Sequence, residues 1–472
     1  MLFFGNFLYK KMKIAIVGSG ISGLSAFWLL NQHHDVVLYE KDDRPGGHSN
    51  TVEVDTSQGI IPVDTGFIVY NVKNYPNLIQ LFDYLKVETE ASDMSFSVSR
   101  DNGEFEYSGG DLRGLFAQAS NIVKPVFWKM LYEIVRFYKE GRNFVENNTL
   151  PECSLGQYLK EHHYSDKFIN DHLLPMAAAI WSAPAETLKS YPLSSFLKFC
   201  DNHGLIQVTN RPQWRTVKGG SREYVQKITE PFSEKVRLNS AIVNIIRSGK
   251  KVKIESRGGD TEDFDHVILA THADQALKLL KNPSPEESAL LGSFQYQRNQ
   301  AILHSDTGMM PLRRPAWSSW NYMNQTRESD LEHVYVTYWM NRLQNLKTTT
   351  PLFVTLNPPQ LPHNSTIHRT FIYQHPIFDH QSMEAQKSLW KIQGMRNTWY
   401  CGSYFGSGFH EDGIQSGLAV AEALGRVRRP WQVENESGRI ALPPHWNKHK
   451  QACLLYTSDA ADEGLGVDLG GR

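Results

Sequence analysis

The sequence predicts an α/β fold in which a discontinuous, Rossmann-like dinucleotide-binding domain carries an inserted α+β substrate domain. Three observations predict it. A strand, glycine turn, helix and second strand open the chain between Lys13 and Glu40. A similar strand-and-glycine rhythm returns twice, over residues 205–275 and 392–430, while the stretches between follow other periodicities.

The run Ile14, Ala15, Ile16 and Val17 is short, apolar and largely β-branched, as a strand buried in a parallel sheet is. Gly18, Gly20 and Gly23 follow in the spacing G-x-G-x-x-G, and Leu24 to Leu30 continues as a helix. The first glycine permits the tight turn, the second lets backbone approach a pyrophosphate, and the third lets helix and strand pack closely. The anion then sits on the unpaired N–H groups of the helix N-terminus, at Ile21 and Ser22. A second strand over residues 35–39 closes on Glu40 and Lys41. A carboxylate at that place accepts from a ribose 2′-OH and repels a 2′-phosphate, which disfavours NADP. Arg44, Pro45, Gly46, Gly47 and His48 come next; the arginine can neutralise a diphosphate, and the glycines let backbone pass close to it.

Residues 51–54 and 60–63 alternate as a hairpin does, residues 64–71 read as a turn beside the cofactor, and residues 75–85 have helical periodicity. Residues 94–99 and 104–107 form a hairpin around Asp101, Asn102 and Gly103. Residues 112–197 read as helices broken at five prolines. Gly219, Gly220 and Ser221 open a helix over 224–228, and residues 236–243, 252–255 and 265–272 read as strands. Further strands are expected at 300–304, 334–338, 353–356 and 370–373. The last return is a strand at 398–403, a glycine loop over 406–414 and a helix over 415–424. The expected division is a nucleotide-binding domain over 12–85, 205–275 and 392–430, and a substrate domain over 86–204 and 276–391. Residues 431–472 read as a polar tail without periodicity, resembling vector read-through from 451, and residues 1–11 as an extension or an N-terminal membrane anchor.

Forty-nine basic and 50 acidic residues balance to a net charge of −1 without charge blocks, so nothing points to nucleic acid. The four cysteines lie far apart in no metal-ligand spacing, which fits a reducing, cytoplasmic compartment and argues against a zinc site or a disulfide framework. No apolar run reaches the length of a membrane span.

The Arg44 to Gly47 motif resembles the second fingerprint of FAD enzymes of the amine oxidase, phytoene desaturase and protoporphyrinogen oxidase superfamily. Longer words narrow the resemblance: residues 93–99, Arg211 to Trp214, Thr337 to Asn341 and Phe409 to Gly413. They are similar to a flavoprotein found as the N-terminal region of plant cyclopropane fatty-acid synthases, with bacterial relatives that stand alone. The resemblance implies an amine oxidase/glutathione reductase-2-like fold and non-covalent FAD. It assigns Gly18, Gly20, Gly23, Glu40, Arg44 and Gly47 to the ADP half, Val243 to an adenine contact, and Ala270 and Thr271 to the strand end beside the cofactor. Gly402, Asp412, Gly413 and Ile414 fall on the ribityl and pyrimidine edge.

One departure stands out. Many amine oxidases place a lysine on a substrate-domain strand, and the aligned run from Arg298 to His304 has none. The resemblance therefore implies an oxidoreductase for unsaturated or modified lipid acyl chains, with amine or polyene oxidation, or a non-catalytic flavin-binding partner of a cyclopropane synthase, as alternatives. Trp181, Trp214, Tyr338, Trp339 and Tyr404 are the candidate pocket walls, and His410 a proton carrier near the flavin. No general base is identifiable. A lipid substrate implies peripheral membrane contact, for which Leu115, Phe116, Val126, Phe127, Trp128, Leu131 and Phe137 supply apolar area unless they are buried against the substrate domain.

Overall fold

The computed structural model describes residues 11–181, 188–207, 211–326 and 332–443. A five-stranded parallel sheet organises the first layer. Its central strand β1 (Lys13–Val17) pairs with β2 (Asp35–Tyr39) on one side and with the strand His266–Leu269 on the other. Val236–Arg237 and Thr398–Tyr400 form the edges. The sheet is covered on both faces, so β1 has no polar side to show. Ile14 and Ile16 pack towards helix α1 (Ile21–Leu30), while Ala15 and Val17 pack towards Ile245, Ile254 and Phe264 of an antiparallel three-stranded sheet. All ten residues of α1 are buried, because the helix His410–Gly425 lies across its outer side. The carboxyl ends of the five strands open on one edge, where ligands of such sheets bind.

The second layer is a seven-stranded sheet. Its order is Ile367–Ile377, Gln295–His304, Phe353–Leu356, Glu332–Trp339, Trp320–Thr326, Phe96–Arg100 and Phe105–Ser108. Cross-strand partners share a face. Phe371 pairs with Ala301, Ala301 with Leu356, and Leu356 with Val336, which makes a continuous apolar row. Tyr373, Leu303, Val354 and Tyr338 join that row in one core, packed on Val54, Ile61 and Val63 of the hairpin Thr51–Thr56 and Gly59–Asp64. That hairpin, leading directly from the glycine loop, couples the two layers.

Three expectations change. Residues 236–243 are not one strand: Asn239 adopts φ 52°, and the chain leaves the parallel sheet after Arg237 to start Ile242–Ser248 in another. The strand Trp320–Thr326 has no clean alternation in the sequence and is not among the expected strands; its parallel pairing with Phe96–Arg100 joins the two halves of the seven-stranded sheet. Residues 431–443 are not a loose tail. Trp431 stacks on Trp28 of α1 at 5.5 Å, Ile440 is buried, and Arg439 pairs with Asp412. Three anchors set by side chains rather than by periodicity hold this segment, so no helix or strand pattern announces it. Residues 1–10 and 444–472 lie outside the described residues. Among the described residues no helix is long and apolar enough to cross a membrane.

Candidate active site

The turn after β1 is shaped by what a side chain would strike. Gly18 has φ +103°, and a Cβ there would lie 2.7 Å from the carbonyl oxygen of Ala270. A Cβ on Gly23 would lie 1.9 Å from the carbonyl oxygen of Gly18. Gly20 differs: it caps α1 with φ −66°, and a Cβ there would meet no protein atom within 4 Å. Two glycines are therefore required by packing, and the third borders open space at a helix N-terminus, where an anion would sit. The second glycine loop closes on the first. Gly46 N–H donates to the Ser19 carbonyl at 3.0 Å, and a Cβ on Gly47 would touch Gly20 Cα at 3.1 Å.

Glu40 is buried at the end of β2 and braces the same turn. Its Oε2 accepts from Ser19 N–H at 3.0 Å and from the Ser19 hydroxyl, and its Oε1 accepts from Asp42 N–H at 3.0 Å. Three bonds leave acceptor capacity on a carboxylate for a further hydroxyl. Arg44 donates to the Gly47 carbonyl at 2.9 Å and the Ser49 carbonyl at 3.3 Å, so its first role is to hold the loop in shape. Lys41 is largely exposed and pairs with Asp42, and its charge also acts on His272.

Val243 lies in the bulge between Ile242 and Asn244, in the segment whose Ser240 N–H donates to the Glu40 carbonyl at 2.8 Å. A bulge re-aims backbone groups, which suits a main-chain contact. Ala270 and Thr271 lie against Gly18, and the Thr271 carbonyl oxygen lies 3.5 Å from where a Gly402 Cβ would be. Gly413 lets the N-terminus of its helix close on α1, since a Cβ would strike Ile21 and Ser22 at 2.7 and 2.9 Å. Ile414 is core between them. Asp412 has structural partners of its own. Its Oδ2 accepts from Phe409 N–H at 2.8 Å, and both oxygens take the Arg439 guanidinium at 2.6 and 3.2 Å. It fixes the helix start, the capping role an early helical carboxylate serves.

Histidines gather where the two layers meet. His48, directly after the second glycine loop, stacks on Tyr373 at 5.0 Å and lies 5.6 Å from His375 and 6.4 Å from His272, ring centre to ring centre. His48 Nε2 and His272 Nδ1 are buried without a hydrogen-bond partner. Tyr373 hydroxyl bonds Thr65 at 2.7 Å and accepts from Asn50 at 2.9 Å, which ties the substrate sheet to the cradle. His410 stacks on Phe67 at 3.6 Å and bonds the Ser49 and Tyr224 hydroxyls at 3.0 and 3.3 Å. Burial drives all four imidazoles towards the neutral form: His410 to about 3, His375 to about 4, and His48 and His272 also down, with neighbouring histidines adding to the effect on His48 and His375. Phe67, Tyr224, Tyr373, His272 and His375 were not anticipated. Only the alternation of Tyr373 and His375 on one strand face carries a local signal.

The expected aromatic walls scatter. Tyr338 belongs to the apolar face of the seven-stranded sheet, but its neighbour Trp339 points to the opposite face and packs on Trp317 at 5.5 Å, as alternation requires. Tyr404 is a core residue beneath Gly402, beside Phe294 and Phe405. Trp214 stacks loosely on His203 at 6.2 Å, outside the histidine group. The side chain of Trp181 lies outside the described residues. The large open cleft of about 990 Å3 is lined by Asn74, Phe199, His203, Gly406 and Arg439 and by none of the glycine cradle, so it is not the cofactor site. Cys401 is fully buried with its thiol pushed up, which suits core packing rather than covalent attachment.

The arrangement fits a flavin dinucleotide on this structure's own terms: a glycine-bordered opening at a helix N-terminus, a braced buried carboxylate beside it, and unpartnered imidazole nitrogens where the second layer begins. A family model described as flavin containing amine oxidoreductase matches residues 21–310, more than half of the 472. Among curated proteins, flavin-containing amine oxidase B of Sus scrofa is 22% identical over 328 residues, 66% of this chain and 59% of that protein. The Homo sapiens amine oxidase B is 22% identical over 345 residues, 70% and 63% of the two chains. The chain thus spans about three fifths of the length of these relatives. Among solved structures, cyclohexylamine oxidase from Brevibacterium oxydans superposes with TM-score 0.63 over 88% of this chain and 99% of that one at 14% identity. A CLA-producing fatty acid isomerase from P. acnes gives 0.62 over 89% and 99% at 16%. At such identities the likeness speaks for the fold, which is the amine oxidase-like FAD-binding fold that the sequence predicts. The chain belongs to the flavin-containing amine oxidoreductase family, and FAD is the cofactor its glycine cradle serves.

Proposed function

We propose that this protein is an FAD-dependent oxidoreductase acting on unsaturated, methylated or cyclopropanated acyl chains of lipids. FAD supplies hydride chemistry when bound, and the chain supplies orientation, exclusion of water and a matching wall. The observation that carries this reading is the wall beside the cradle, where the half-buried Phe371 stacks on Tyr373, Tyr373 stacks on His48, and the buried imidazoles are neutral. An alkyl chain suits such a wall, whereas an ammonium needs an acid. The buried acids near the cradle are engaged: Asp64 by Thr51, Ser221 and Gln344, Glu411 by Asn77 and Leu78, and Asp412 by Arg439. The strand Gln295–His304 offers no lysine. The fold shared with a fatty acid isomerase is compatible with the reading.

Amine oxidation is the second reading, favoured by the similarity to amine oxidases A and B. A cyclopropane fatty-acid synthase is the proposed partner, on the words shared with that flavoprotein. The test is to incubate the flavin-loaded protein with extracted phospholipids and compare acyl chains by mass spectrometry. New or lost unsaturation, or altered cyclopropane content, is expected; unchanged acyl chains together with turnover of an amine panel contradict it.

A further inference from the structure

We propose that the outer face of the helix Pro125–Glu146, with the segment Ala119–Val123 that enters it, docks this protein onto an anionic phospholipid bilayer. The helix buries Phe127, Met130, Phe137 and Tyr138 against the substrate layer. Its other side is the unusual one. Val123 is 80% exposed, Tyr132 66%, Val135 54%, and Ile122 and Trp128 50% each. Trp128, Tyr132, Val135 and Lys139 follow one another at spacings of four, three and four, a single stripe along the helix. Scattered surface apolar residues need no explanation, but a contiguous stripe with its own loop does.

The patch is presented rigidly. Asn121 turns inward to the Glu106 carbonyl, and Gln118 donates to the Glu104 carbonyl at 2.7 Å, so Ile122 and Val123 are held outward. The Trp128 indole N–H donates to the Ile122 carbonyl at 2.8 Å, which fixes loop and helix together.

Charge selects the occupant. Between Asp111 and Glu133 the sequence has Arg113, Lys124 and Lys129 and no acid. Glu133 is turned inward, 2% exposed, and accepts from Ser165 N–H at 3.2 Å. Glu140 faces the Tyr158 and Tyr164 hydroxyls at 2.7 and 2.6 Å. Lys129 keeps 60% of its side chain exposed, 4.0 Å from Glu133. Over residues 122–132 the outward groups are aliphatic, aromatic or cationic, and the exposed acid of the helix, Glu146, lies at its far end beside Arg142. A Trp and a Tyr with lysines beside them match the headgroup region, where apolar bodies enter and ammonium groups meet lipid phosphates. A second copy packed isologously on this patch would gather Lys124 and Lys129 of both copies in one interface with no outward acid among residues 122–132 to pair them.

Sedimentation of the flavin-loaded protein with vesicles tests this, and the readout does not depend on turnover, so it can fail separately from the acyl reading. Binding is expected to phosphatidylcholine mixed with phosphatidylglycerol, weakly or not at all to phosphatidylcholine alone, and to fall with added salt. Val123→Ser with Trp128→Ser should abolish it, and Lys124→Gln or Lys129→Gln should each weaken partitioning roughly fivefold. If the double variant loses flavin, Val123→Ser alone, at a largely exposed position, serves instead. Absence of sedimentation with every vesicle, or binding unchanged in the variants, overturns the proposal. So does a concentration-dependent dimer abolished by the same substitutions without vesicle binding, which gives the face to a second copy.

Discussion

Glu40 has two tasks that its three hydrogen bonds separate. Two of them, from Ser19, brace the glycine turn, and the acceptor capacity that remains would serve a ribose hydroxyl. Glu40→Ala should therefore weaken FAD binding by roughly 1.5–3 kcal/mol, the worth of a hydrogen bond involving a charge, or roughly 10- to 150-fold in Kd. Ser19→Ala, which loses the hydroxyl bond of the brace and keeps the backbone one, should weaken it less. Titration of apo-protein with FAD checks both; equal losses would mean that Glu40 acts only on the loop. This residue is legible in the sequence because its role depends on position after a strand. The histidine group is not, because His48, His272 and His375 come from three distant stretches that only the fold brings together. Tyr404 and Trp339 mislead for the opposite reason: aromatic character says nothing about which side of an element faces the site.

At the scale of elements, α1 offers a sharper contrast. Gly20→Ala adds a methyl group that meets no protein atom within 4 Å, so the melting temperature of the apo-protein should stay unchanged while FAD affinity falls. Gly23→Ala drives a methyl group into the Gly18 carbonyl and should destabilise the apo-protein itself by about 1–3 kcal/mol or more. Thermal unfolding with and without FAD distinguishes them; equal melting temperatures for the two apo variants would refute the division. The segment past residue 430 is the element that sequence patterning misjudges. Arg439→Ala leaves Asp412 fully buried without its cation, and denaturant unfolding should show a loss of about 3–5 kcal/mol. A loss within experimental error would mean that the pair is not an anchor. By contrast, β1, the glycine turn, α1 and β2 follow from local chemistry alone, as do the strand Phe353–Leu356 and the hairpin around Asn102.

The whole molecule carries a set of buried histidines that makes its stability sensitive to acid. Burial holds His172 at about 3 and His203 and His304 at about 4. In the unfolded chain each ionises near 6.5. Between those values the unfolded state binds protons that the folded state refuses, so stability falls as pH drops from about 6.5 towards 4. Each histidine contributes up to about 1.4 kcal/mol per pH unit. Denaturant midpoints should decline steadily from pH 7 to pH 5; a flat profile would mean that these groups ionise normally in the fold.

The two layers also meet in one place, where the flavin cradle, the neutral histidines and the stacked Tyr373 and Phe371 of the larger sheet converge. That convergence is the basis for reading the protein as an acyl-chain oxidoreductase. The most direct measurement follows flavin absorbance after anaerobic mixing of the oxidised protein with phospholipids bearing unsaturated, methylated or cyclopropanated chains, beside an amine panel; the reduced protein is mixed with the same lipids in parallel. Bleaching of the oxidised flavin by the lipids, or its recovery from the reduced form, with no response to amines, is the predicted result. Bleaching by amines alone contradicts it.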